Sequence, residues 1–133
     1  CGNPELIAAL NAVKQSYNSY TMNYPTIELG VEVVNDRAYF EEICSKVSET
    51  REWTKKELSE LGFRFGDSKT NFIFATHPEY DAKELFSYLR NHNIIVRYFN
   101  KPRIDNYLRI TIGTDAQMKR VIEVLKEFVK GKN

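Results

Sequence analysis

Arg97 and Arg109 are the residues whose type and spacing could do chemistry in this chain. Residues 94 to 99 (Ile-Ile-Val-Arg-Tyr-Phe) and 107 to 113 (Tyr-Leu-Arg-Ile-Thr-Ile-Gly) read as two strands joined by a loop containing Pro102. Side chains alternate between the faces of a strand. Ile94, Val96 and Tyr98, with Leu108, Ile110 and Ile112, form the apolar set that belongs on the core. Parity then puts Arg97 and Arg109 together on the other face, beside Phe99, Tyr107 and Thr111. If the loop is symmetric about Arg103, midway between them, the two arginines are direct cross-strand partners. Like charges placed opposite one another destabilise a sheet, and an anion bridging them removes the penalty. Planar guanidinium forks suit phosphate or carboxylate. Taken from spacing alone, two arginines solvated on an open sheet face, or paired with nearby acids, are the commoner arrangement.

The elements that must position this pair follow from periodicity and caps. Asn3-Pro4-Glu5 is a helix start, and Leu6, Ile7, Leu10 and Val13 repeat at helical spacing, so 4–16 reads as a helix. The tyrosine-rich stretch 17–24 reads as a loop packed on its surroundings, and Pro25 opens a second helix through Val34. Asp36 caps a long helix to about Leu61, with Phe40, Ile43, Val47, Thr54, Leu58 and Leu61 as its buried stripe. Gly62 fits the left-handed position that ends it. Phe63 to Phe65 is a short strand, and residues 71–75 form a strand apolar on both faces, expected to be covered on each side. Asp81 caps a helix with Leu85, Phe86 and Leu89 inside, and His92 marks its end. Thr114 or Asp115 caps the last helix, in which Met118, Val121, Ile122, Leu125, Phe128 and Val129 face inward; the tail from Lys130 to Asn133 is expected to fray. The order α-α-α-β-β-α-β-β-α predicts an α+β fold, a small antiparallel or mixed sheet with helices packed on it. The expected division is 1–35, N-terminal helices and loop that bridge to another domain, and 36–133, a small α+β domain.

Composition narrows the function. The chain has 133 residues, 42% hydrophobic and 28% charged, enough for one packed core. With 19 basic and 18 acidic residues the net charge is +1, which gives no global pull toward nucleic acid or anionic membrane. No apolar run approaches the roughly 18 residues of a membrane span. Two cysteines, Cys1 and Cys44, make no disulfide framework and fit a reducing, cytoplasmic setting. His77 and His92 lack metal-ligand companions, so no metal site is expected. His77 reads as a loop residue, Ser68-Lys69 as turn chemistry instead of a Schiff-base lysine, and Trp53 as core. The opening Cys1-Gly2-Asn3-Pro4 is neither an initiator methionine nor a signal peptide, which suggests the interior of a longer, truncated sequence.

Several stretches together resemble the histidinol-phosphate aminotransferase family: Gly2-Asn3-Pro4-Glu5-Leu6, Ser68-Lys69-Thr70-Asn71-Phe72, Ile95-Val96-Arg97 and, above all, Leu108-Arg109-Ile110-Thr111-Ile112-Gly113-Thr114. The resemblance covers essentially the whole chain. It implies the C-terminal small domain of a fold type I, pyridoxal-5′-phosphate-dependent enzyme that exchanges an amino group between histidinol phosphate and 2-oxoglutarate, yielding glutamate, in histidine biosynthesis. It also implies a large domain, a homodimer, and a substrate phosphate or carboxylate held at the positions of Arg97 and Arg109. The family's cofactor lysine and its glycine-rich turn lie upstream of the Asn-Pro-Glu helix. No catalytic or cofactor-binding residue is therefore assigned within these 133 residues, and the chain alone is expected to be inactive.

Other readings share the arginines. One is the small domain of a related aminotransferase or of a threonine-phosphate decarboxylase. Another is a free-standing α+β module that binds a phosphorylated or carboxylated metabolite. RNA binding through an aromatic sheet face lacks both a basic excess and the aromatic-glycine signature.

Overall fold

The structure is a computed structural model that describes residues 2–132, so Cys1 and Asn133 lie outside the described residues. Five helices and four strands run in the expected order: α1 (Pro4–Tyr17), α2 (Tyr24–Asn35), α3 (Arg37–Glu60), β1 (Arg64–Phe65), β2 (Phe72–Thr76), α4 (Ala82–Asn91), β3 (Arg97–Tyr98), β4 (Leu108–Thr111) and α5 (Asp115–Lys132). The strands form one sheet in the order β1-β2-β4-β3, antiparallel throughout. The fold is α+β. Contacts divide the chain into two compact units, one up to Phe40 and one from Glu41 onward.

In the first unit local chemistry makes the helices. The Asn3 side chain accepts hydrogen bonds from the amides of Glu5 and Leu6, at 2.9 and 3.4 Å, and Pro4 occupies the first helical position. Asn23 accepts from the Thr26 amide at 2.9 Å and starts α2 in the same way. Neither helix buries a single residue. Leu10 is 65% exposed and Val34 81%, and Tyr17 and Tyr20 are both exposed instead of packed into the loop as expected. The reason is size: two short helices carry too little surface to close a core of their own. An apolar stripe states which face needs cover and does not supply it.

The second unit owns the core. Leu58 of α3, Leu85 and Leu89 of α4, and Met118, Ile122 and Leu125 of α5 join Ile73, Leu108 and Ile110 of the sheet in one cluster. Each such side chain stabilises by about 1.5–3 kcal/mol on leaving water. In the α3 stripe Thr54 and Leu58 are buried and Val47 packs against the core, whereas Phe40 is 63% and Ile43 38% exposed, contrary to expectation. At its end, Gly62 takes φ +86°, the Phe63 amide donates to Leu58 O at 3.0 Å, and the Gly62 amide to Ser59 O at 3.0 Å. That is the double hydrogen bond of a Schellman cap. A Cβ on Gly62 would also stand 2.9 Å from His77 Nε2, so two independent constraints require glycine. Helix α4 ends alike, with Asn93 at φ 61°, its amide on Arg90 O at 3.1 Å and the Ile94 amide on Leu89 O at 2.9 Å. Helix α5 starts with a reciprocal box: the Thr114 amide donates to Gln117 Oε1 at 2.9 Å, and the Gln117 amide to Thr114 Oγ1 at 3.4 Å. A Cβ on Gly113 would meet the Gln117 carboxamide, so a larger residue there would displace the side chain that closes this box. The tail expected to fray instead continues α5 to Lys132.

Candidate functional site

Strands β3 and β4 bring Arg97 and Arg109 directly opposite one another, with Tyr98 opposite Leu108. The alternation on β4 is complete: Leu108 and Ile110 are 1% exposed, while Arg109 and Thr111 face away from the core and are exposed. On the β3 side Ile94, Val96 and Tyr98 pack against the core, and Ile95 and Arg97 do not. The strands are shorter than the alternating pattern suggests, because ladder hydrogen bonds cover only Arg97–Tyr98 and Leu108–Thr111. The parity nonetheless extends beyond the ladder.

The outer face is aromatic as well as basic. The Arg97 guanidinium carbon lies 5.5 Å from the centre of the Phe99 ring, and that of Arg109 lies 6.0 Å from the same ring and 5.5 Å from Phe72. Phe74 sits opposite Arg109 in the β2–β4 register, stacks on Tyr107 at 4.6 Å and meets Phe99 edge-on at 6.2 Å. The sequence reading placed Phe99, Tyr107 and Thr111 here and missed Phe72 and Phe74. It read β2 as covered on both faces, yet only Ile73 and Ala75 are buried, and Phe72, Phe74 and Thr76 are half-exposed. Only the pairing of β2 with β4, distant in sequence, reveals that these rings floor the arginine pair.

Neither arginine takes part in an ion pair among the described residues. Asp67 holds Lys55 at 2.7 Å and Lys69 at 3.1 Å, and these ammonium groups, Lys55 first, bring its carboxyl pKa down to about 2. The arginine face thus presents two positive charges without an ion-pair partner on an apolar floor, an arrangement whose geometry suits an anion with two or more oxygens.

The remaining sequence candidates have structural roles. Ser68 caps its own turn, donating to Phe72 O at 2.5 Å, and buried Arg51 donates from Nη1 to Thr70 O at 3.1 Å, fastening that turn to α3. His77 lies in the loop after β2, as expected, and is buried there. Its Nδ1 accepts from the Glu79 amide at 3.1 Å, which leaves the proton on Nε2 to donate to Leu61 O at 3.0 Å. Phe63 and Tyr80 enclose the ring. His92 is the C-cap of α4, as its position suggests, and Trp53 packs against the core. Among the described residues no three metal-ligating side chains cluster, and no helix is long and apolar enough to cross a membrane. An open groove of about 910 Å³ lies away from the arginines, where Val47, Thr50 and Trp53 of α3 face Ile112 and Asp115. Within it Thr50 Oγ1 donates to Asp115 Oδ1 at 2.5 Å. The arginine face has no such internal partner, and it is the stronger candidate.

Comparison with known proteins identifies the family. A family model described as aminotransferase class I and II matches residues 1–125. The histidinol-phosphate aminotransferase of Acinetobacter baumannii (strain SDF) is 54% identical over 93% of this chain, and that of Clostridium botulinum (strain Langeland / NCTC 10281 / Type F) is 45% identical over 96%. The chain spans about a third of these relatives, 34% and 36% of their lengths. Among solved structures, the histidinol-phosphate aminotransferase from Sinorhizobium meliloti in complex with pyridoxal-5′-phosphate superposes with a TM-score of 0.77 at 21% identity, covering 92% of this chain and 34% of that one. N-succinyldiaminopimelate aminotransferase from Mycobacterium tuberculosis gives 0.65 at 23%, covering 94% and 35%. These two likenesses show the fold. The family match extends over nearly the whole sequence, and the chain belongs to the class I and II aminotransferases.

Proposed function

We propose that this chain is the substrate-closing small domain of an aminotransferase acting on histidinol phosphate and 2-oxoglutarate. In this reading Arg97 and Arg109 hold the phosphate of one substrate and the carboxylate of the other in turn. The observation that carries the proposal is the direct pairing of two arginines with no ion-pair partner on a sheet face. The identity of 54% to a histidinol-phosphate aminotransferase supports the choice of substrate. Two guanidinium forks fix the orientation of an anionic group and so hold the substrate's reacting end in place.

Pyridoxal 5′-phosphate supplies the electron sink in this chemistry. The described residues do not fit its covalent site. Such a lysine needs a lowered pKa. Of the described lysines only Lys55 and Lys126 are half-buried, and both are shifted the other way. Asp67 and then Glu52 raise Lys55, and Glu57 raises Lys126. The cofactor, the large domain and the partner subunit of a homodimer therefore belong, in this proposal, to the two thirds of the relatives' length not spanned here. The 133 residues alone are inactive.

The test is transamination by the full-length polypeptide with histidinol phosphate and 2-oxoglutarate. Arg109→Ala should lower kcat/KM by about 100-fold or more, because a charged hydrogen-bond partner of the substrate is lost. Arg97→Lys should also lower it, since lysine lacks the fork. Equal turnover of amines with and without a phosphate would refute the substrate assignment. Turnover by the 133-residue chain with added cofactor would refute its inactivity.

A further inference from the structure

We infer that Phe99 is a positioning residue for both arginines, one ring that holds two like charges side by side before any anion arrives. The inference rests on the anion-clamp reading only for its use; the placement stands on geometry. Arg97 and Phe99 are two residues apart on one face, and Arg109 crosses from the neighbouring strand to the same ring, at 5.5 and 6.0 Å. Cross-strand arginines repel, and a flexible arginine with no carboxylate partner would ordinarily swing into water. The negative face of an aromatic ring attracts a guanidinium without neutralising it. Phe99 can therefore hold each arginine near the other and leave its hydrogen-bond donors free for oxygen. A carboxylate in the same place would hold the arginines equally well, and it would occupy the donors that a substrate needs.

The ring is itself braced. Phe74 meets Phe99 edge-on at 6.2 Å, and Phe74 is stacked against Tyr107 at 4.6 Å with their planes 11° apart. Phe72 gives Arg109 a second ring at 5.5 Å, whereas among the described residues Phe99 is the ring recorded against Arg97. Loss of Phe99 should therefore release Arg97 more than Arg109. That asymmetry is a signature which general damage to packing would not produce.

The experiment uses the 133-residue chain, its Phe99→Leu variant and its Phe99→Tyr variant. Side-chain resonances of Arg97 and Arg109 are followed by NMR, first alone and then with inorganic phosphate. Core amides of Leu108 and Ile110 report whether each variant is folded. In the wild type and in Phe99→Tyr, both arginines should show upfield ring-current shifts. In Phe99→Leu the Arg97 shifts should vanish and those of Arg109 should shrink, with phosphate affinity falling roughly tenfold, the loss expected from two cation–π contacts. Arg97 shifts that survive in folded Phe99→Leu, or shifts of either arginine that disappear in folded Phe99→Tyr, would overturn the positioning role. If Phe99→Leu does not fold, the tyrosine variant decides alone, by keeping or losing both sets of shifts. Failure of the wild type to bind phosphate while the shifts behave as stated would count against the clamp and leave the positioning role supported.

Discussion

The two faces of the sheet are made by the same strands and put to opposite uses. On β4, Ile110 is 1% exposed and belongs to the core cluster to which three helices contribute, while Arg109, one residue earlier, is exposed above aromatic rings. The inner face satisfies the ordinary rule that apolar surface is removed from water. The outer face breaks two rules, by leaving Phe72 and Phe74 half-exposed and by setting arginine opposite arginine. Stability is concentrated on the first face, so the second can hold an arrangement that is unfavourable by itself.

The sharpest way to break this comparison is to substitute those neighbours separately. Ile110→Ala should destabilise the second unit by about 2–5 kcal/mol through the lost transfer energy and the cavity left behind, read as a lower urea midpoint. Gly62→Ala tests the next largest effect. Alanine must adopt φ +86° and push against His77 Nε2 at 2.9 Å, which should cost about 1–3 kcal/mol, again with phosphate binding by the folded protein unchanged. Arg109→Ala should do the reverse, moving unfolding by no more than about 0.5 kcal/mol and abolishing measurable phosphate binding. A large stability loss in Arg109→Ala would mean that the outer face also carries the fold.

The smallest effect concerns acid. Asp67 has its pKa lowered to about 2 in the folded chain, from 3.8, by Lys55 and Lys69. A depressed carboxylate contributes stability that is present above its unfolded pKa and lost as pH falls through the folded one. The wild type should thus lose that contribution between about pH 4 and 2. Asp67→Asn should show a shallower acid slope there, checked by urea midpoints across the range. Because Asp67 is exposed, the change should be modest, and the arginine face should not respond.

Most of the inner face was legible in the sequence, because its signals are local. The caps at Asp81 and Thr114, the left-handed Gly62 and the inward stripe of α5 each depend on residues a few positions apart. The arginine pair was legible too, since one short loop joins its strands and parity does the rest. Phe72 and Phe74 were not, because their place under Arg109 depends on the pairing of β2 with β4, more than thirty residues away. His77 lies in a loop as read, but its burial was not legible for a similar reason: its partner Leu61 O lies sixteen residues back, across a helix cap. The exposure of Phe40 and Ile43 shows a third limit, since an amphipathic pattern says nothing about whether cover is present.

The cap at Asn93 has a consequence for how this sequence can change. It delivers the chain to Ile94 in a fixed orientation, and from there inward and outward positions alternate without interruption to Arg97. Inserting or deleting one residue between Asn93 and Arg97 would turn the arginine into the core and Val96 or Tyr98 out of it, whereas a change of two would restore both. Lineages that keep the arginine pair should therefore vary the length of this short connection only in even steps, and the loop around Arg103, beyond the strands, is where odd ones can be absorbed.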